Sequence, residues 1–238
     1  MERTREIPLN NTDATRPPIL LFSGLAANAD VFAGQRFALP QLQVVGWKRP
    51  LDRESLQAYA HRLAEDLPSH QPMILGGASF GGIVALHVAE VIQPTLVVLI
   101  GSVRSPDELP RYFKLLRPLS ILVTLIPVRI LQALTNCVLK LGLIPKRWAN
   151  LAGIAKQFVE SDSIVFKWSL RQLLEWRTTP KGTCPIHQIH GGRDRTLPLR
   201  HTDPVTIIPK GGHVISLSHP DEVTEFLRKI YEQEFPIS

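Results

Sequence analysis

Ser79 stands in Gly77-Ala78-Ser79-Phe80-Gly81, a G-x-S-x-G pentapeptide. A serine hydroxyl is a weak nucleophile at neutral pH; it serves in catalysis when an adjacent base takes its proton and an acid orients that base. Both partner types occur further along the chain, each in a glycine-rich loop. Asp194 closes His190-Gly191-Gly192-Arg193-Asp194, and His213 closes Gly211-Gly212-His213. The order Ser, Asp, His is the one expected when the nucleophile sits on a tight strand-to-helix turn in a parallel sheet. The chemistry on offer is therefore nucleophilic catalysis by serine.

That reading requires elements that position the three residues. Pro72-Met73-Ile74-Leu75-Gly76 is a short apolar run and reads as a buried strand, while Gly81 to Val91 reads as a helix, so the pentapeptide falls on the turn between them. Its glycines suit a serine held in a strained backbone conformation, which needs neighbours without a Cβ. Ile19 to Phe22, Leu42 to Gly46 and Thr95 to Ile100 are further strand candidates. Asp52 or Ser55 caps a helix reaching about Leu67, with Leu56, Tyr59, Leu63 and Leu67 on one face. Strand and helix alternate to residue 101, which predicts βαβ units and a mostly parallel sheet. The alternation resumes with Pro185 to His190, then Val205 to Ile208, then a closing helix from Asp221 to Glu232. Asp194 and His213 each follow one of these late strands, at the carboxyl edge where such sheets build their sites.

Residues 103–180 break the pattern. They carry no clear strand but several helical stretches, punctuated by Pro106, Pro110, Pro118, Pro127 and Pro145. The expected division is a core of residues 1–102 and 181–238 with a helical cap, or lid, of residues 103–180. Leu115 to Ile144 is strongly apolar, yet Arg117, Arg129, Lys140, Pro118 and Pro127 leave no clean run of about 18–20 apolar residues, so no transmembrane segment is expected. Two readings of this stretch stay open: a lid over a hydrophobic pocket, and a basic apolar surface that touches a membrane.

The chain resembles the α/β-hydrolase fold superfamily over nearly its whole length. Gly77 to Gly81 extended by Gly82 is similar to the family's nucleophile elbow, His190 to Asp194 to its acid loop, and Gly211-Gly212-His213 followed by His219-Pro220 to its histidine loop. The resemblance implies an α/β fold with a mostly parallel central sheet flanked by helices and a helical cap insertion. It implies that Ser79 attacks an acyl carbon, His213 takes and returns the proton, and Asp194 holds the imidazole. The backbone N–H of Phe80 and of Leu25, the latter in Ser23-Gly24-Leu25, would form the oxyanion hole. Two departures stand out: Ser23 replaces the histidine usual before that glycine, and Trp47-Lys48-Arg49-Pro50 replaces a common Asp-x-x-Gly-type loop.

Bland readings exist beside these. Asp194 is also a good turn residue at the head of a short helix, with Asp107 as the alternative acid, and Ser79 and His213 as ordinary loop residues complete that reading. His61, His87, His187, His190, His201 and His219 read as structural. No metal-type spacing and no dinucleotide fingerprint occurs, so no metal and no cofactor is expected. Cys137 and Cys184 read as reduced thiols in or near the core.

The 238 residues suit one α/β domain, and 44% hydrophobic with 20% charged residues is ordinary globular composition. Met1 to Glu6 mix charges and lead into no apolar stretch, so the expectation is a cytoplasmic chain without a secretory leader. The net charge of +6 is uneven: residues 103–180 hold twelve Lys or Arg against five acids, a net of +7 that leaves the remainder near −1. The leading expectation is a serine hydrolase of a small-molecule ester or thioester, with Leu115, Leu116, Leu119, Ile121, Leu122, Leu125 and Ile126 of the cap lining an acyl pocket. The basic cap would suit an acidic acyl carrier protein as partner. Alternatives are lactone, peptide or carbon–carbon bond hydrolysis, acyl transfer, or a silent small-ligand-binding protein. Nucleic acid is not expected, because the cap lacks the aromatic and glycine interleaving of familiar modules.

Overall fold

The computed structural model describes residues 16–68, 71–143, 149–182, 184–204 and 206–236. Val205, Ile144, Pro145 and the stretch Met1 to Glu6, all invoked above, lie outside them, as do Lys146 and Arg147, two of the twelve cations counted in residues 103–180. Six strands form one parallel sheet: β1 (Ile19–Phe22), β2 (Leu42–Val45), β3 (Ile74–Ala78), β4 (Leu96–Ile100), β5 (Ile186–Gly191) and β6 (Thr206–Ile208). Their spatial order is β2-β1-β3-β4-β5-β6. The chain leaves β1 towards one edge and crosses back to β3, so β1 and β3 are neighbours whose outgoing connections diverge. That divergence opens a crevice at their carboxyl ends, where ligands bind in sheets of this kind.

The continuous apolar runs make sense once both faces are covered. β1, β3 and β4 are buried at every position. Alternate side chains serve opposite faces, as a strand's two-residue period demands. Leu20, Phe22, Leu75, Val97 and Leu99 pack under α2 (Leu56–Ala64) and α3 (Phe80–Ile92). Ile19, Leu21, Ile74, Val98 and Ile100 join the core on the other face, with α9 (Pro220–Glu234). The hydroxyl of Ser55 caps α2 by accepting from the Ala58 N–H. Pro220 opens α9 with Asp221 and Glu222 in its first turn, where the helix dipole favours acids. The sequence did not signal α1 (Ala33–Ala38) or the single turn α8 (Ile215–Ser218).

Between β4 and β5 the described chain is helical: α4 (Arg111–Leu116), a 3-10 stretch (Arg117–Leu125), α5 (Val128–Lys140), α6 (Ala149–Glu160) and α7 (Ser163–Glu175). α7 is tied to the rest of the molecule at both ends. The Trp168 indole donates to the Glu54 carbonyl at 2.9 Å, and the Trp176 indole to the His87 ring at 3.0 Å. At its N-terminus Asp162 accepts from the Ile164 and Val165 N–H groups and pairs with Arg49 at 2.7 Å. No single helix among the described residues is long and apolar enough to cross a membrane; Arg111–Leu125 and Val128–Lys140 pass that test only together, bent by 83°.

Two expectations need correction. Leu115, Leu116, Leu119, Ile121, Leu122 and Leu125 line none of the cavities among the described residues and are 43–79% exposed. Ile126 alone of the expected lining borders a shallow one beside Ile164, and Ser120 and Val123 form the buried side of the stretch. The buried side is chosen by polar anchors. The Arg117 guanidinium donates to the carbonyls of Leu174 and Trp176, and the Ser120 hydroxyl to Glu175, which turns the aliphatic side outward. Cys137 is exposed on α5 rather than in the core, and Cys184 is half-buried.

Candidate active site

Ser79 sits between β3 and α3 with φ 51° and ψ −122°, a conformation that costs a residue bearing a Cβ about 1–3 kcal/mol. The surroundings over-determine it. Its N–H donates to the Ile100 carbonyl at 3.1 Å, and its carbonyl accepts from the Gly82 N–H at 3.0 Å and the Ser102 hydroxyl at 2.7 Å. Ser102 is itself held by Gln188, whose amide donates to the Ser102 carbonyl at 2.7 Å; both are fully buried. The flanking glycines are a packing requirement. A Cβ on Gly77 would collide with the backbone of Gly81, and one on Gly81 with the carbonyls of Phe22 and Ser23 at the end of β1.

The three residues singled out by the sequence come together. His213 Nε2 lies 2.9 Å from Ser79 Oγ, and His213 Nδ1 lies 2.8 Å from Asp194 Oδ2. The other carboxylate oxygen, Asp194 Oδ1, accepts from the N–H groups of Thr196 and Leu197 at 2.8 and 2.9 Å. Burial alone would raise the Asp194 pKa. The hydrogen bonds from His190, His213 and the Leu197 N–H outweigh it and hold the carboxyl well below the usual carboxylate range. Asp194 is thus an anion facing the Nδ1 edge of His213, which fixes Nδ1 as donor and leaves Nε2 to accept from the serine hydroxyl. Asp107 is elsewhere: its side chain is 93% exposed and pairs with Lys114 at 3.1 Å.

His190 has a role that its position at a strand end did not signal. Its Nε2 is 2.7 Å from the Leu197 carbonyl and 3.3 Å from Asp194 Oδ2. Both partners are acceptors, so this nitrogen carries a proton and braces the acid loop. His87, by contrast, is buried among α3 and Trp176; burial lowers its pKa against the opposing influence of Glu90.

Phe80 begins α3, so its N–H belongs to the first helical turn, whose donors have no intrahelical partner and favour negative charge. Leu25 lies in the loop after β1, which abuts Ser79: the direction a Cβ would take from Gly24 ends 3.4 Å from the Ser79 Cβ. Ala27 N–H closes a turn onto the Gly24 carbonyl at 3.2 Å, and Ala26 takes φ 59° within it. The two departures noted in the sequence meet here. Ser23 donates to the Ala27 carbonyl at 2.9 Å and accepts from the Trp47 indole N–H at 2.7 Å. Trp47 also stacks on Phe80 with ring centroids 6.0 Å apart. Trp47 therefore touches both loops that carry the expected oxyanion donors.

A cavity of about 250 Å³ adjoins this loop, lined by Ser23, Gly24, Leu25, Val44, Val45 and Trp47 on one side and by Val165, Phe166 and Ser169 of α7 on another. Its surface is mostly apolar, and the Arg49–Asp162 pair borders it. Among the described residues no cluster of three or more His, Cys, Asp or Glu could hold a metal ion.

The chain belongs to the alpha/beta hydrolase family, whose model matches residues 19–226. No curated protein sequence matches it. Solved structures share its fold at low identity. An esterase from Thermogutta terrifontis is 17% identical, with 92% of this chain and 90% of that chain covered and a TM-score of 0.66. The enol-lactonase from Burkholderia xenovorans LB400 is also 17% identical, with 90% of each chain covered and a TM-score of 0.65. MenH from S. aureus is 15% identical, with 94% of this chain and 96% of that chain covered and a TM-score of 0.70.

Proposed function

We propose that the protein is a serine hydrolase that cleaves a carboxylic ester or thioester through an acyl-enzyme on Ser79. The observation that carries this is the unbroken hydrogen-bond chain Ser79 Oγ–His213–Asp194, at 2.9 and 2.8 Å, ending on a carboxylate that its hydrogen-bond donors keep ionised against the cost of burial. Ser79 Oγ attacks the acyl carbon as its proton passes to His213 Nε2. The developing oxyanion is held by the N–H groups of Phe80 and Leu25, each such donor being worth about 3–4 kcal/mol of barrier. His213 returns the proton to the departing alkoxide or thiolate. A water, activated by the same imidazole, then hydrolyses the acyl-enzyme. Asp194 remains ionised throughout and offsets the charge of the imidazolium.

The cavity beside Leu25 is the acyl pocket in this reading. An apolar cavity of about 150 Å³ holds one benzene ring, so about 250 Å³ suits a short to medium acyl chain or an aryl acyl group. Its location next to the oxyanion loop supports this, as do esterase and lactonase activities among proteins of the same fold. The expected result of incubating wild type with a fluorophosphonate probe is covalent labelling that disappears in Ser79→Ala and His213→Ala. A p-nitrophenyl ester series should show kcat/KM rising and then falling with chain length. A folded wild type that neither labels nor turns over any ester would overturn the reading.

A further inference from the structure

We infer that the outer face of residues 109–143 is a docking surface for an anionic lipid bilayer. Of the twenty large hydrophobic side chains exposed on the described molecule, sixteen lie between Tyr112 and Ile164. A protein of this size rarely leaves so much aliphatic surface in one region without a partner for it. On α5 the exposed residues Ile130, Leu131, Leu134, Val138 and Leu141 recur at helical spacing and are 39–65% exposed, so they form one stripe. The opposite side of α5 is committed, since Gln132 donates to the carbonyls of Phe158 and Ser161 at 2.8 and 2.9 Å. The stripe is thus a defined outward face of a folded helix.

Charge selects the occupant. Residues 109–143 contain Arg111, Lys114, Arg117, Arg129 and Lys140 and no Asp or Glu at all. Lys114 is spent on Asp107 and Arg117 on backbone carbonyls, but Arg111, Arg129 and Lys140 make no ion pair among the described residues. A second copy seated on this face would set cations against cations. An acidic protein would meet the charges but must also cover aliphatic residues spread over two arms that diverge by 83°. A bilayer interface accepts both: the aliphatic side chains enter the acyl boundary while lysine and arginine stay at the anionic headgroups. Neither arm spans; both lie along the surface. The root of the first arm reaches the site itself, for the Tyr112 hydroxyl donates to the Thr196 carbonyl, two residues past Asp194. Docking would therefore bring the loop that carries Asp194 close to the lipid surface.

The test is co-sedimentation of the full chain with vesicles of phosphatidylcholine alone and with about 30 mol % phosphatidylserine, in low salt and in about 0.5 M salt. Binding should be at least about tenfold tighter on the anionic vesicles and should fall by at least about tenfold in high salt. Leu134→Glu with Val138→Glu should weaken it by at least about tenfold, with unchanged circular dichroism and unchanged turnover of a soluble ester. Arg129→Glu with Lys140→Glu should remove the preference for phosphatidylserine. Wild type that binds neither vesicle overturns the proposal. So does a solution dimer that the Leu134/Val138 pair dissociates, or an acidic carrier protein whose binding that pair abolishes while vesicle binding is untouched. Because the readout is sedimentation, its failure leaves the Ser79 reading standing, and loss of labelling at Ser79 leaves this one.

Discussion

The sheet and the helical insertion solve opposite problems with the same residue types. In β3 and β4 every aliphatic side chain is buried on one face of the sheet or the other. In the 3-10 stretch and α5, residues of the same kind are fastened on one side by Arg117, Ser120 and Gln132 and left open on the other. Burial in the sheet makes the positions of Ser79, Asp194 and His213 insensitive to the surroundings. Exposure in the insertion makes its energy depend on what lies against it. One region is built to hold geometry and the other to meet something.

The largest expected difference is catalytic. Ser79→Ala should lower kcat for a p-nitrophenyl ester by about 10⁴-fold or more, with little change in Tm, since it removes the attacking atom and no packing. Next comes stability in the sheet. Leu75→Ala should cost about 2–5 kcal/mol in urea unfolding, because Leu75 is fully buried. The acid loop adds a pH signature. Asp194 has a depressed native pKa, so its contribution is complete above the unfolded value of about 4 and is lost as pH falls towards the native one. Acid titration of Tm should therefore show a steeper loss below about pH 4 in wild type than in Asp194→Asn. Trp47→Phe keeps the ring against Phe80 but deletes the hydrogen bond to Ser23; kcat should fall by about tenfold or less, at a cost of about 1 kcal/mol. Smallest of all, Leu134→Ala on the insertion should change stability by no more than about 0.5 kcal/mol. A cost like that of Leu75→Ala would collapse the contrast between the two regions.

Local pattern carried most of the fold. β1 lies where the apolar run does, Ser55 caps α2, and the helix after Ser79 begins within one residue of its expected start. The hydrogen-bonded trio was also legible, because each member closes a glycine-rich loop after a strand. What escaped joins residues far apart in the chain. Ser23 and Trp47 stood out only as departures from a pattern, and their bond is a tertiary event. Ser102 and His190 brace Ser79 and Asp194 from strand ends that carry no distinguishing composition. The orientation of Leu115 to Leu125 differs from the expected one for a related reason. Periodicity says that a helix has an apolar side, not whether the protein covers it.

The backbone of Ser79 has one more consequence. Its φ of 51° is held by Ile100 and Ser102, at and just past the end of β4, and by Gly82 in α3. Any excursion that loosens those three lets the serine relax into an ordinary turn, in which Oγ no longer meets His213. Reactivity at this one atom is then a running measure of how much of the population is fully assembled. Probe labelling followed along a denaturant series should fall before the circular dichroism does, making Ser79 a reporter on the integrity of its own scaffold.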